Sequence, residues 1–312
     1  NNPSLQKIGY TPCWRRRAFL ITTYRSMIKV LIIGASGQLG QSFQYWAPHF
    51  PGYKFLFKDL PEFDLMDQMA VSAYFMETSI NIVINCAAYT AVDLAEKEQD
   101  LAKKVNTDAV ALLCDLSKKH QFKLVHFSTD YVFDGTANAP YREDHPVNPI
   151  GVYGKTKAAA EAIIQAAAID SWIIRTSWLF SPYGKNFVKT IFSLLQNKEK
   201  IDVVSDQTGS PTYALDLAEA TLKAIDQNPE FTGVHRYHFS NSGETSWYGL
   251  AAEIKKLNHS SCRVNPVTTV DYPTAAARPK YTVLSGEKIK KEFNLTPRSW
   301  ESALEACLKK IK

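Results

Sequence analysis

Tyr153 and Lys157 stand four residues apart in the run Tyr153-Gly154-Lys155-Thr156-Lys157. On a helix this spacing places two side chains one turn apart on a single face. An unperturbed phenol loses its proton near a pH of about 10. A tyrosine that moves a proton near neutrality therefore needs a fixed positive charge that favours phenolate, and a lysine one turn away could supply it. By itself such a pair is common on solvated helix faces, so its meaning depends on what else the chain brings to it.

One such neighbour is the run Lys123-Leu124-Val125-His126-Phe127-Ser128-Thr129-Asp130-Tyr131, a buried-strand pattern ending in hydroxyls. Ends of strands are where layered α/β sheets place ligands. Successive strand side chains point to opposite faces, so Ser128 and Thr129 cannot both reach one carbonyl. Thr129 is expected to hydrogen-bond the reacting oxygen, Ser128 to cap or form a turn, and His126 to be a packed strand residue rather than a ligand.

A second neighbour is Gly34-Ala35-Ser36-Gly37-Gln38-Leu39-Gly40, which follows the apolar run Ile28-Lys29-Val30-Leu31-Ile32-Ile33 and opens a helix pattern. Three glycines here allow a tight turn, a close backbone approach to a pyrophosphate, and a helix lying on a strand, with helix N-terminal N–H groups offered to the anion. A plain strand-to-helix turn is the alternative, and the preceding strand favours a dinucleotide. Asp59, about 20 residues on at the end of the second strand, is placed to bind adenosine ribose hydroxyls. The adjacent Lys58 could accommodate a 2′-phosphate, which leaves NADPH and NADH both open. Asp64 and Leu65 could flank the adenine, or be a loop Asp beside a core Leu. Gly154-Lys155-Thr156 is not a triphosphate loop, because Pro149 stands where the first glycine is needed and no strand precedes it.

These residues need a scaffold, and the chain from Met27 supplies a recognisable one. Near-continuous apolar runs at 28–33, 54–57, 82–85, 123–127 and 172–175 read as strands covered on both faces. Segments 38–46, 68–77, 101–119 and 154–168 read as helices between them. This alternation predicts an α/β fold, a Rossmann-type doubly wound parallel sheet over residues 27–180. Beyond residue 180 loops such as Ser181-Pro182-Tyr183-Gly184 separate shorter elements, which predicts a smaller C-terminal α/β substrate domain over most of 181–312. The amphipathic segment 213–225 is expected to return to the first domain, making the boundary discontinuous.

Composition narrows the partners. The 312 residues are 45% hydrophobic, enough for a large core and against disorder. The formal charge of +5 resides in residues 1–26, where Lys7, Arg15, Arg16, Arg17 and Arg25 face no acid, while the rest balances. No nucleic-acid partner is therefore expected. The five cysteines, Cys13, Cys86, Cys114, Cys262 and Cys307, show no Cys-X-X-Cys pair, which suggests neither zinc nor a disulfide framework and fits a cytoplasmic location. Residues 1–26 read as an extension excluded from the fold, with an ordered arm as the alternative, and no apolar stretch approaches the ~18 residues of a membrane span.

Taken in order, Gly34/Gly37/Gly40, Asn85-Cys86-Ala87-Ala88-Tyr89-Thr90, Val105-Asn106-Thr107, Ser128 to Gly135, Tyr153/Lys157, Asp206-Gln207-Thr208-Gly209-Ser210-Pro211-Thr212 and Arg278-Pro279 resemble the extended short-chain dehydrogenases. The run Asp206 to Thr212 makes the chain more closely similar to the dTDP-4-dehydrorhamnose reductase family. The resemblance covers residues 27–312. It implies Thr129, Tyr153 and Lys157 as catalytic residues, with Ala87, Ala88, Tyr89 and Thr90 lining the cofactor and Asn106 fixing the catalytic strand and its pocket. It implies Val92, Asp130, Tyr131 and Trp178 as substrate contacts, with a core aromatic at a domain junction as the other reading of Trp178. Arg278 could face a nucleotide diphosphate or be an exposed arginine before a proline.

The activity implied is reduction, by NADPH or NADH, of the C4 keto group of dTDP-4-dehydro-L-rhamnose to dTDP-L-rhamnose, a polysaccharide precursor. The partner is then a sugar nucleotide, with no membrane, and the protein a monomer or homodimer. Some members bind magnesium through C-terminal acids, a cluster that Glu301 and Glu305 do not match, so no required metal is expected. Alternatives are a sugar-nucleotide epimerase, a reductase of another keto-sugar, or a non-catalytic dinucleotide-binding regulatory subunit.

Overall fold

The computed structural model describes residues 27–311, so the N-terminal extension lies outside the described residues. The first half runs β1 (Ile28–Ile33), α1 (Gln38–Trp46), β2 (Tyr53–Lys58), α2 (Gln68–Glu77), β3 (Ile82–Asn85), α3 (Val92–Ala95), α4 (Gln99–Lys103), α5 (Ala109–His120), β4 (Lys123–Thr129), α6 (Val152–Ala167) and β5 (Ser171–Thr176). The second half adds β6 (Leu179–Phe180), α7 (Phe187–Asn197), β7 (Lys200–Val204), β8 (Thr208–Gly209), β9 (Thr212–Tyr213), α8 (Ala214–Gln227) and β10 (Val234–His238). It closes with β11 (Thr245–Ser246), α9 (Trp247–Leu257), β12 (Arg263–Val267), α10 (Glu287–Phe293) and α11 (Trp300–Ile311).

The central sheet has the order β10-β5-β4-β3-β1-β2, and every pairing in it is parallel. Its inner strands are largely apolar because both faces are covered. Val30 and Ile32 of β1 join one core with Leu39 and Phe43 of α1 and Leu217 and Ala218 of α8. Leu31 and Ile33 enter the opposite core with Val71 of α2, Leu113 of α5 and Ile164 of α6. This is the two-residue period of a strand expressed as two helical layers. The chain leaves β1 for β2 on one side and returns to set β3 on the other, which opens a crevice at the C-terminal ends of the strands.

The sheet exceeds the sequence reading by one strand. Val234–His238 pairs with β5 at the sheet edge, where its adjacent polar residues His235 and Arg236 stay partly exposed and hide the strand pattern. The helix expected over 101–119 is also broken, with a π-helical turn at Lys104–Asp108 between α4 and α5. Helix α8 lies on α1, and the Trp46 indole N–H donates to the Leu215 carbonyl at 2.9 Å. A third core of Phe180, Val188, Leu250, Ile254, Trp300 and Leu304 builds the region beside the crevice.

Candidate active site

The glycine loop turns sharply at Gly34, whose φ of +79° and contact with Ala87 leave no room for a side chain: a Cβ would sit 2.6 Å from the Ala87 nitrogen. Gly40 is equally constrained, with a Cβ falling 2.2 Å from the Gly34 oxygen. Gly37 differs. It precedes α1, no side chain caps the helix there, and a Cβ would meet only the Gly34 oxygen, at 3.3 Å. Gly37, Gln38 and Leu39 line a cavity of about 560 Å³. A backbone that closes tightly on both sides yet stays open in the middle, at an uncapped helix N-terminus, fits a dinucleotide pyrophosphate. Asp59 accepts the Ser36 backbone N–H at 2.7 Å and also bonds the Ser36 hydroxyl, so the carboxylate closes the loop just past the end of β2. Lys58 turns the other way, its Nζ 5.3 Å from the Tyr74 ring centroid.

On the far wall of the cavity, β4 delivers Thr129 and α6 delivers Tyr153 and Lys157. The Thr129 hydroxyl bonds the Tyr153 phenol, accepts the Tyr131 backbone N–H at 3.2 Å and donates to Asp130 Oδ1 at 2.9 Å. Burial pushes the Tyr153 phenol up to about 12, opposed by the Thr129 bond and reinforced by the Asp130 charge. Burial likewise raises the Asp130 carboxyl to about 7 against bonds from Thr282 and Thr129. It lowers Lys157 to about 8, with the Glu161 charge pulling the other way. The protein's own groups therefore leave the phenol protonated, as a proton donor must be before reaction. Lys157 ends on His126 rather than on the phenol, with Nζ 3.0 Å from Nε2.

Ser128 turns away from Thr129, its hydroxyl donating to Glu161 at 2.5 Å. Glu161 also holds Arg175 of β5 bidentately at 2.9 and 2.6 Å, so one buried carboxylate fixes the ends of β4 and β5 against α6. Asn106, inside the π-helical turn, accepts the Tyr89 N–H at 2.8 Å and donates to Tyr89 O and Thr156 Oγ1, both at 3.0 Å. It thereby joins the 87–90 loop to the helix that carries Tyr153.

Ala88, Thr90, Val92, Asp130, Tyr131 and Trp178 all line the cavity. Ala87 contributes its backbone against Gly34. Other expected residues are placed elsewhere. The Tyr89 hydroxyl bonds Glu98 at 2.6 Å at the surface, Leu65 is buried in the core, and Asp64 accepts the Met66 N–H at 2.9 Å in a turn. Arg278 is bound to Asp93 at 2.6 and 3.1 Å and to the Ala276 carbonyl, clamping the 276–278 segment onto α3.

The structure also brings in residues that spacing did not reveal. Trp247 stacks on Trp178 with ring centroids 3.5 Å apart and planes within 7°. Trp178 adopts a φ of +46°, and a Cβ at Gly209 would fall 2.6 Å from its ring, so this glycine makes room for the indole. Gln38 Oε1 accepts from Ser181 and Asn186, both at 2.9 Å, and ties α1 to the opposite wall. Asn186 had a local signal as the cap of α7, whereas Trp247, a residue of a different core segment, had none. A larger groove of about 910 Å³ beside Arg142, Arg236 and Lys288 contains none of this chemistry. Among the described residues no three His, Cys, Asp or Glu side chains gather as a metal would require, and no helix is long and apolar enough to cross a membrane.

Comparison with known proteins adds relatives to this geometry. The family described as RmlD substrate binding domain matches residues 28–312. The spore coat polysaccharide biosynthesis protein SpsK of Bacillus subtilis is 41% identical over 90% of this chain and 97% of its own length. The dTDP-4-dehydrorhamnose reductase of Aggregatibacter actinomycetemcomitans is 38% identical over 89% of this chain and 98% of its own. A crystal structure of dTDP-4-dehydrorhamnose reductase from Bacillus anthracis in complex with NADP superposes with a TM-score of 0.85 at 38% identity, covering 90% of this chain and 99% of that one.

Proposed function

This chain belongs to the RmlD substrate-binding-domain family, and from that premise we propose that it reduces the C4 keto group of dTDP-4-dehydro-L-rhamnose, using NADPH or NADH, to give dTDP-L-rhamnose. The observation that carries the proposal is the convergence of the open glycine turn, Thr129 and Tyr153 on one crevice. Relatives named dTDP-4-dehydrorhamnose reductase, one of them in complex with NADP, support both the sugar nucleotide and the cofactor.

The bound dinucleotide supplies a hydride. Gly37 and the first turn of α1 would hold its pyrophosphate, and Asp59 its adenosine ribose. Tyr153 gives the proton on Oη to the carbonyl oxygen as negative charge grows there. Thr129 Oγ1, already bonded to that phenol, stabilises the same oxygen. Lys157 supplies the positive charge that favours the phenolate left behind and would hold the nicotinamide ribose. Trp178, Tyr131 and Val92 shape the wall that holds the sugar carbon in place, which is the positioning part of catalysis. Proposed partners stop at the sugar nucleotide, with the protein a monomer or homodimer in the cytoplasm.

The test is oxidation of NADPH and NADH followed with dTDP-4-dehydrorhamnose and with other nucleotide keto-sugars. Stoichiometric consumption with the first and little with the others is expected. Sugar interconversion without consumption of reductant would mark an epimerase and end the proposal.

A further inference from the structure

Lys157 and His126 are at most 2% exposed, and the 3.0 Å contact between Nζ and Nε2 is the one hydrogen bond of the lysine amine among the described residues. On the next strand Asn85, in register with His126, places Nδ2 3.3 Å from His126 Nδ1. Asn85 Oδ1 accepts the backbone N–H of Ala87 at 3.1 Å. A backbone N–H can only donate, so Ala87 determines which way the Asn85 amide faces, and its NH₂ end points at the imidazole. His126 Nδ1 must then accept.

A neutral imidazole carries its single proton on the other nitrogen, here Nε2, which faces Lys157. An ammonium has three donors and no acceptor. Only a neutral amine completes the sequence of bonds from Ala87 through Asn85 and His126 to Lys157. Protonating the lysine in place sets donor against donor, unless the imidazole moves its proton to Nδ1 and Asn85 turns over and abandons Ala87.

Burial acts in the same direction. It lowers Lys157 to about 8 and, with the lysine charge, holds His126 well below 6.5. The other titratable groups nearby do not bond Nζ. On α6, Glu161 is taken by Arg175 and Ser128, and Tyr153 by Thr129. Just past β4, Asp130 is bonded to Thr129, and just past β3 the Cys86 thiol is raised by burial. Arg175 on β5 is paired with Glu161.

We propose that His126, oriented by Asn85, is a positioning residue that favours the neutral amine of Lys157 at the crevice, so that in mildly alkaline solution dinucleotide binding draws up to one proton from solvent onto Lys157 Nζ. The cofactor itself is chemically unchanged in this step. Its phosphate and hydroxyl oxygens offer the acceptors that an ammonium needs and His126 cannot provide. The proposal rests on the reading that the crevice takes a dinucleotide.

Calorimetric titration of NADPH into the full chain, in buffers of different ionisation enthalpy, counts the protons taken up. At about pH 8.5 the wild type should gain roughly half a proton or more per site, and at about pH 6 close to none. Lys157→Met should abolish the uptake, which assigns the proton. Asn85→Asp keeps an oxygen for Ala87 but offers a second oxygen to His126 Nδ1–H. It thereby makes Nε2 an acceptor, so Lys157 is already an ammonium and uptake should vanish. NADPH binding with no buffer dependence in the wild type, or uptake unchanged in a folded Asn85→Asp variant, overturns the proposal while leaving the dinucleotide reading intact. Failure of NADPH to bind overturns both. Should Asn85→Asp not fold, the wild-type and Lys157→Met titrations still decide the matter.

Discussion

A phenol raised to about 12 by burial holds its proton firmly until a carbonyl oxygen beside it becomes more basic. Tyr153→Phe removes that proton and little else. Turnover should fall roughly 10²- to 10⁴-fold, the span of general acid catalysis, while NADPH affinity, read by fluorescence titration, changes less than about twofold. Lys157 predicts a pH dependence of stability. Its folded-state value near 8 lies below the unfolded value of about 10.4. The group's contribution is therefore complete above the unfolded value and is lost as pH falls through the folded one. The stability of Lys157→Met relative to wild type should thus rise by up to about 3 kcal/mol between pH ~10.5 and pH ~7. Thermal melts of both proteins across that range check the sign.

At the level of elements, the glycine turn separates folding from binding. Gly40→Ala drives a methyl to within 2.2 Å of the Gly34 oxygen and should cost at least about 2 kcal/mol. Gly37→Ala meets only one atom at 3.3 Å and has an ordinary φ of −71°, so its stability should change by less than about 1 kcal/mol. Its methyl projects where the anion must approach, so NADPH affinity should fall about tenfold or more. Melting curves and cofactor titration of the two variants distinguish these outcomes. The strands were legible because both faces are covered and their runs are apolar, and the glycine turn because its spacing is local. The π-helical turn at Lys104–Asp108 was not. Asn106 and Thr107 distort the helix to reach Tyr89 and Thr156, bonds that link residues 17 and about 50 positions apart.

The whole molecule closes the crevice from two cores. Trp247, from the core of Leu250 and Ile254, lies flat on Trp178 and donates to Gln207 at 3.1 Å. Trp247→Ala removes the support of Trp178 without touching the glycine turn. KM for the sugar nucleotide should rise about tenfold, in line with an aromatic pair worth up to about 1.5 kcal/mol, while NADPH affinity holds within about twofold. Steady-state kinetics with both substrates varied provide the check. A parallel shift in both would mean that the two walls are not independent.

The order of the first five sheet strands, the Tyr153/Lys157 spacing, the hydroxyl-bearing strand end and the glycine turn were settled by the chain alone, because each depends on neighbours within a helical turn or a strand. Folding decided that Lys157 ends on His126, that Arg278 pairs with Asp93 and that Trp247 stands behind Trp178. Each of these pairings joins segments 31 to 185 residues apart. Which buried donor finds which acceptor is fixed only when strands and helices are laid side by side, since a hydrogen bond depends on distance and direction in space and not on separation along the chain.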